Sequence, residues 1–203
     1  MLKAERLAAQ RGGVTLFANI AFELLPGEAL IVTGANGSGK TTLLRVVAGL
    51  TQPHAGRLFW RSAPVASFDP ALRAATLYIG HAAALKDELT AEENLLSLAS
   101  LHGAAPARSS VREALREWSL GDHGEIPARV MSQGQRRRIA LARMNFARRN
   151  LWVLDEPTTA LDASGVKILE QRIDRHLAEQ GLAVIATHQP LALTRGAMRG
   201  LEL

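Results

Sequence analysis

The sequence predicts an α/β fold: a parallel sheet core, a small antiparallel sheet in the first thirty residues, and a helical lobe inserted at about 90–149. Three observations carry this. Residues 30–33 (LIVT) form an apolar run that passes through a glycine-rich loop into TTLLRVVAGL, which has helical length and spacing. The runs TLYI (76–79), LWVL (151–154) and AVIAT (183–187) alternate with helical stretches, the βαβ rhythm of a parallel sheet. The segment from Thr90 to Arg149 looks helical and carries three capping-box spacings, Thr90 with Glu93, Ser110 with Glu113 and Ser132 with Gln135. At the N-terminus, LFANIAFELLPGE alternates weakly, with Pro26-Gly27 marking a turn. At 203 residues without repeat or linker, the chain is expected to be one domain, 1–203, with the helical subdomain set into it.

Hydrophobic residues at 47% and charged residues at 21% suit a globular chain and argue against disorder. No window approaches the roughly 18 uncharged apolar residues of a membrane span, and MLKAERLAAQRGG lacks the apolar core of a signal peptide. The expected location is therefore cytoplasmic. The absence of cysteine excludes disulfides, thiolate metal sites and covalent haem attachment within this chain. A net charge of +5 raises the question of nucleic acid, because clustered cations release counterions from polyanions. Much of that charge lies in Arg136, Arg137, Arg138, Arg143, Arg148 and Arg149, where a solvated helix face is the alternative, and no nucleic-acid partner is expected.

Gly34, Ala35, Asn36, Gly37, Ser38, Gly39, Lys40, Thr41 and Thr42 spell GANGSGKTT, which satisfies G-x-x-x-x-G-K-[ST] between a strand and a helix. Glycines let such a loop curl until its N–H groups converge on phosphate oxygens, and the helix N-terminus adds positive partial charge. Lys40 would reach the β- and γ-phosphates of ATP, and Thr41 would place its hydroxyl on Mg²⁺. Downstream, LWVLDEP ends an apolar strand in two adjacent acids, whose side chains strand alternation would send in opposite directions. Asp155 can then hold the hydration shell of Mg²⁺ while Glu156 polarises the attacking water.

MSQGQRRRIALAR (131–143) completes the pattern, and with it the chain resembles the ABC ATPase family, whose signature is usually written LSGGQ. Ser132, Gly134 and Gln135 match; Met131 conserves volume, while Gln133 in place of Gly is a real departure. The resemblance implies a P-loop NTPase of ABC ATPase type, with a RecA-like parallel sheet, an N-terminal antiparallel β subdomain and a helical subdomain. It also implies an ATP-dependent head-to-tail homodimer in which each signature closes on the partner's ATP. TTALD resembles the D-loop, with Asp162, and His188 resembles the switch histidine that senses the γ-phosphate. At the Q-loop position stands His81 rather than Gln, and imidazole is a poor ligand for a hard cation. Where relatives stack a Tyr on adenine, the candidate is Arg11, whose guanidinium plane can also stack.

LYIGH, the SxGQxRR signature, LWVLDEP and LEQRIDRHLAEQGLAVIATHQPL are similar to the ATP-binding subunits of bacterial haem-export or cytochrome c maturation (Ccm) systems. That resemblance implies a peripheral protein on the cytoplasmic face of the inner membrane. Its integral membrane partners would be a haem-exporter permease and cytochrome c maturation proteins. ATP would drive haem delivery to, or release of, a periplasmic haem chaperone. Another small exporter (lipid, lipoprotein or drug) is the alternative, and a soluble ABC ATPase acting on nucleic acid a more distant one.

Overall fold

The computed structural model describes residues 1–101 and 103–203. In chain order its elements are β1 (Leu2–Arg11), β2 (Val14–Leu24), β3 (Glu28–Thr33), α1 (Lys40–Val47), β4 (Ala55–Trp60), β5 (Ala63–Val65), α2 (Pro70–Ala75) and β6 (Thr76–Ile79). There follow α3 (Ala91–Leu101), α4 (Arg108–Glu117), α5 (Gln133–Ala142), β7 (Leu151–Asp155), α6 (Ala163–Ala178), β8 (Leu182–Ala186) and β9 (Ala197–Glu202). They fall into two compact units. One comprises Met1–Gly80, Arg149–Pro157 and Ile173–Leu203; the other comprises His81–Arg148 and Thr158–Arg172.

The first unit holds both sheets. Five parallel strands run in the order β6-β7-β8-β3-β9. Every residue of β7 and β8 is buried, which is why LWVL and AVIA read as unbroken apolar runs rather than alternating ones. The four runs expected to be strands are strands. The antiparallel sheet, β2-β1-β4-β5, extends well beyond the first thirty residues. Its outer hairpin turns through Arg61 and Ser62, both at positive φ (50° and 68°), the mirror-image turn that suits strand twist. Arg-Ser lacks the usual Asn-Gly signal, so sequence reasoning missed this hairpin. It also missed β9, an edge strand exposed along most of its length. Pro26-Gly27 does form a turn, Glu28 N–H donating to Leu25 O at 3.0 Å, but it leads from one sheet into the other.

The second unit is mainly helical. Two of the three expected capping boxes are present: Thr90 and Glu93 exchange side-chain-to-backbone bonds at α3, and Ser132 and Gln135 do so at α5. The third is not. α4 starts at Arg108 after Ala107, so Ser110 is already the third helical residue; burial of Val111, Ala114 and Leu115 sets where this helix lies. The expected solvated arginine face is also corrected. α5 stops at Ala142, Arg137 and Arg143 are buried, and Arg136 and Arg138 are committed to Asp87 and Asp162. Burial, with Arg137 nearby, pushes the Arg143 guanidinium down to about 10.

In the first unit Trp152 of β7 stacks on His176 of α6 at 3.9 Å with nearly parallel rings, and His176 Nε2 donates to Leu182 O at 3.1 Å. Burial lowers the imidazole to about 4, against about 6.5 in an unfolded chain. Between these values the unfolded chain takes a proton that the folded chain refuses, so stability is full above pH 6.5 and declines as pH falls toward 4. The expected loss is on the order of 3 kcal/mol, from about 1.4 kcal/mol per pH unit. Urea unfolding at a series of pH values should show this decline in the wild type and a flatter profile in His176→Phe, which keeps the stack but cannot titrate; equal slopes would remove His176 as the cause.

Candidate functional site

In the first unit the carboxyl ends of adjacent strands β7, β8 and β3 open onto one edge of the sheet, where α/β folds bind ligands. From β3 the chain enters residues 34–39, and α1 begins at Lys40. Gly39 occupies the cap position with φ 104°, and a Cβ there would lie 3.0 Å from both Leu16 and Phe17 of β2. Only glycine combines that backbone with that closeness. It also leaves α1 without a side-chain cap, so the first N–H groups of the helix are available to an anion. Lys40, buried, donates through Nζ to Gly34 O (2.8 Å) and Ala35 O (3.0 Å), so its ammonium is already held over the loop. Ser38 Oγ is buried with no partner among the described residues. Uncapped N–H groups, an ammonium and an orphaned hydroxyl are the groups a phosphate cradle needs.

Asp155 ends β7 almost wholly buried, and its charge adds to the burial that raises the Tyr78 phenol. The carboxylate and the Thr41 hydroxyl are hard oxygen donors, a set that suits Mg²⁺. Glu156 departs from expectation in one respect. β7 ends at Asp155, so strand alternation does not extend to Glu156, which has φ 46°, a left-handed backbone that costs a non-glycine residue about 1 kcal/mol. Its N–H still bonds Ala186 O at 2.9 Å. His188, beyond β8, meets it twice: the backbone N–H donates to Oε2 at 3.3 Å and Nε2 lies 3.3 Å from Oε1. Two residues 32 positions apart are thus brought into one pair. Arg11 ends β1, exposed, beside the Gly12-Gly13 turn.

In the second unit, Ser132 caps α5 through the box with Gln135, and Gln133 is exposed. Gly134 has no room: a Cβ would stand 2.6 Å from Ala160 O. Asp162 accepts from Gly165 N–H (2.8 Å), Ser164 Oγ (2.9 Å) and Arg138 Nη2 (2.5 Å), in that order the causes that hold its carboxyl below the usual range. Asp162 therefore caps the start of α6. His81 is exposed and its carbonyl accepts from Arg137 Nη1 at 3.2 Å. A cavity of about 510 Å³ is lined by His81, Ala83, Leu85, Gln133, Arg136 and Ala160. Further along, at α3, apolar and acidic side chains turn inward. Leu95 is fully buried in the core, and Glu92 is buried against Arg112 at 2.6 Å. Sequence reasoning placed Arg138 at the end of SxGQxRR without giving it a role, and it missed His123, whose Nε2 lies 2.9 Å from Gln135 Nε2 and which no motif marks.

Residues 17–159 match the family model for ABC transporters. The cytochrome c biogenesis ATP-binding export protein CcmA of Pseudomonas aeruginosa is 45% identical over 193 residues, 95% of each chain. The chain belongs to the CcmA family of ABC transporter ATP-binding proteins. CcmA of Shigella flexneri is 40% identical over the full 203 residues, 96% of that protein. Among solved structures, an ATP-binding ABC transporter protein from Pyrococcus furiosus superposes with a TM-score of 0.84 over 98% of this chain and 96% of its own, at 22% identity. A dimeric ATP-binding cassette in a post-hydrolysis state, bound to ADP and Pi, gives 0.79 over 93% and 88% at 23% identity, so both share the fold. Membership in the CcmA family makes this an ABC ATPase, with the five-stranded parallel sheet, antiparallel sheet and helical region of that fold.

The contact at Gly134 generates a direct test. Gly134→Ala forces Cβ against a backbone oxygen, an overpacking expected to lower stability by about 1–3 kcal/mol. Thermal unfolding should show the loss, whereas Gln133→Ala, at an exposed position, should melt within about 0.5 kcal/mol of wild type.

Proposed function

We propose that this CcmA-family chain is the ATP-hydrolysing subunit of an inner-membrane complex for cytochrome c biogenesis, powering haem delivery to or release of a periplasmic haem chaperone. The observation that carries the catalytic part is the grip of His188 on Glu156 at the carboxyl end of the sheet, in the same unit as the phosphate cradle. Glu156 acts as the base that polarises water, its carboxylate taking the proton as the oxygen attacks the γ-phosphorus and the bond from that phosphorus to the bridging oxygen of ADP breaks, ADP leaving. His188 orients that carboxylate and senses the γ-phosphate. Lys40 exchanges the carbonyls of Gly34 and Ala35 for the β- and γ-phosphate oxygens, while the N–H groups of residues 34–42 hold the remainder. Mg²⁺, held by Thr41 and, through water, by Asp155, would supply charge neutralisation when bound.

The signature residues Ser132, Gln133, Gly134 and Gln135 contact the ATP of a second copy in a head-to-tail dimer, with Asp162 in the adjoining D-loop. Support comes from the exposed, capped start of α5 and from a dimeric cassette of the same fold. Arg11 stacks on adenine. His81 stands in for the Q-loop glutamine and relays nucleotide state to an integral membrane permease through the cavity beside it. No helix among the described residues is long and apolar enough to cross a membrane, which fits a peripheral place on the cytoplasmic face, held by partners.

Glu156→Gln should retain ATP binding and lose steady-state turnover by two or more orders of magnitude, because the amide keeps the shape and removes the base, roughly the 10²–10⁴-fold worth of general-base catalysis. Its product should be a trapped dimer visible by light scattering. Lys40→Ala should instead weaken ATP binding itself, measured by fluorescent-nucleotide titration. Undiminished turnover in the first variant would end the assignment of Glu156, and normal binding in the second that of Lys40.

A further inference from the structure

The amide of Gln135 is pinned at one end by an unambiguous donor. Ser132 N–H can only donate, and it meets Gln135 Oε1 at 2.9 Å, so the other end of the carboxamide must be the NH₂ group. That group points at His123 Nε2, 2.9 Å away. A nitrogen that receives an N–H carries no proton of its own. His123 is therefore the neutral tautomer with its hydrogen on Nδ1, and Nδ1 is buried without a partner among the described residues. A buried donor left unbonded costs about 1–3 kcal/mol, so the ring is held here at some expense by its surroundings.

Those surroundings are stiff. The segment that carries His123 is laced by backbone bonds to the stretch before and at the start of α3. Glu92 N–H donates to Gly124 O, Ala91 N–H to Ile126 O, Ala128 N–H to Leu89 O and Arg129 N–H to Asp87 O, all at 2.9–3.1 Å. Asn94, buried, closes the same stretch by bonding Lys86, Leu89 and Thr90. Gly124 lies against Glu92, where a Cβ would sit 2.8 Å from Oε1, and Glu92 is itself held by Arg112. The imidazole is thus an acceptor on a rigid mount, aimed at the side chain that closes the capping box of α5.

We propose that His123 is a positioning residue for the signature. By accepting from Gln135 Nε2 it fixes the carboxamide so that Oε1 faces Ser132 N–H, and so sets the N-terminus of α5 in the form that receives the partner's ATP. This rests on the reading that the signature contacts ATP in trans, and the test separates the two. His123→Phe keeps a ring and removes the acceptor; His123→Gln returns an acceptor oxygen near the place of Nε2. Dimerisation with a non-hydrolysable ATP analogue, followed by light scattering, should weaken about 5-fold per composite site in His123→Phe, about 25-fold for a dimer with two, the worth of one lost hydrogen bond at each. His123→Gln should recover most of this. Nucleotide affinity of the monomer should be unchanged in both variants. In a Gln135→Leu background His123→Phe should have no further effect, since its action passes through Gln135.

Wild-type dimerisation by His123→Phe, equal weakening by His123→Gln, or additive losses in the Gln135→Leu background would each overturn the proposal. If His123→Phe melts at a lower temperature, the comparison of His123→Gln with wild type, alone and in the Gln135→Leu background, carries the test. Ser132→Arg, which blocks the signature outright, should abolish the dimer. Normal dimerisation of Ser132→Arg would instead bring down the reading on which the proposal rests.

Discussion

Strand β7 runs beside β8 with Leu151 opposite Leu182 and Asp155 opposite Ala186, and the placing of Asp155, Glu156 and His188 depends on that register. Both strands are buried throughout, so no face is free to turn outward. A slip of one residue would carry Asp155 out of its buried place and move Glu156 away from the carbonyl of Ala186 that receives its N–H. The same register delivers His188 to Glu156, because Thr187 bonds across to Val32 of β3 and His188 follows at once. Apolar packing in the middle of the sheet thereby fixes the distance between two polar groups at its end.

The left-handed backbone of Glu156 is the local strain in this arrangement. It is held on one side by the ladder bond to Ala186 and on the other by the two contacts to His188. The residue is neither a strand member nor a free turn. A carboxylate so held has little freedom to rotate away from whatever stands before it, which is what an oriented base requires.

Much of this was legible in the sequence, and the reasons are physical. Four of the five parallel strands could be read because burial, complete in β7 and β8 and extensive in β3 and β6, leaves unbroken apolar runs, and the loop at 34–39 because backbone geometry demands its glycines. Ser132 and Gln135 could be read because a capping box has a fixed spacing. What could not be read depended on tertiary context. The β4–β5 hairpin turns on Arg61 and Ser62, residues with no strong preference for positive φ. β9 has little apolar signal because it lies at an edge and is largely exposed. Ser110 with Glu113 had the correct spacing in the wrong place, since burial of Val111 and Leu115 outweighed a local cap. Tertiary packing likewise buries Glu92, an acid that the sequence alone gives no reason to place inside. His123 meets Gln135 and Arg138 meets Asp162 through contacts that span 12 and 24 residues, and no short motif encodes which residues such contacts will join.

The carbonyl of Ala160 beside Gly134 bears on how the signature can drift over evolutionary time. In the pattern LSGGQ two glycines stand side by side, yet they are not under the same constraint in this fold. Position 133 faces open space and can exchange Gly for a longer side chain without disturbing the backbone, as it has here with Gln. Position 134 abuts main chain, which cannot rotate out of the way as a side chain can. Sequence variation in the signature should therefore accumulate at the first glycine and spare the second, so that the departure of this chain from the common pattern falls where the packing permits one.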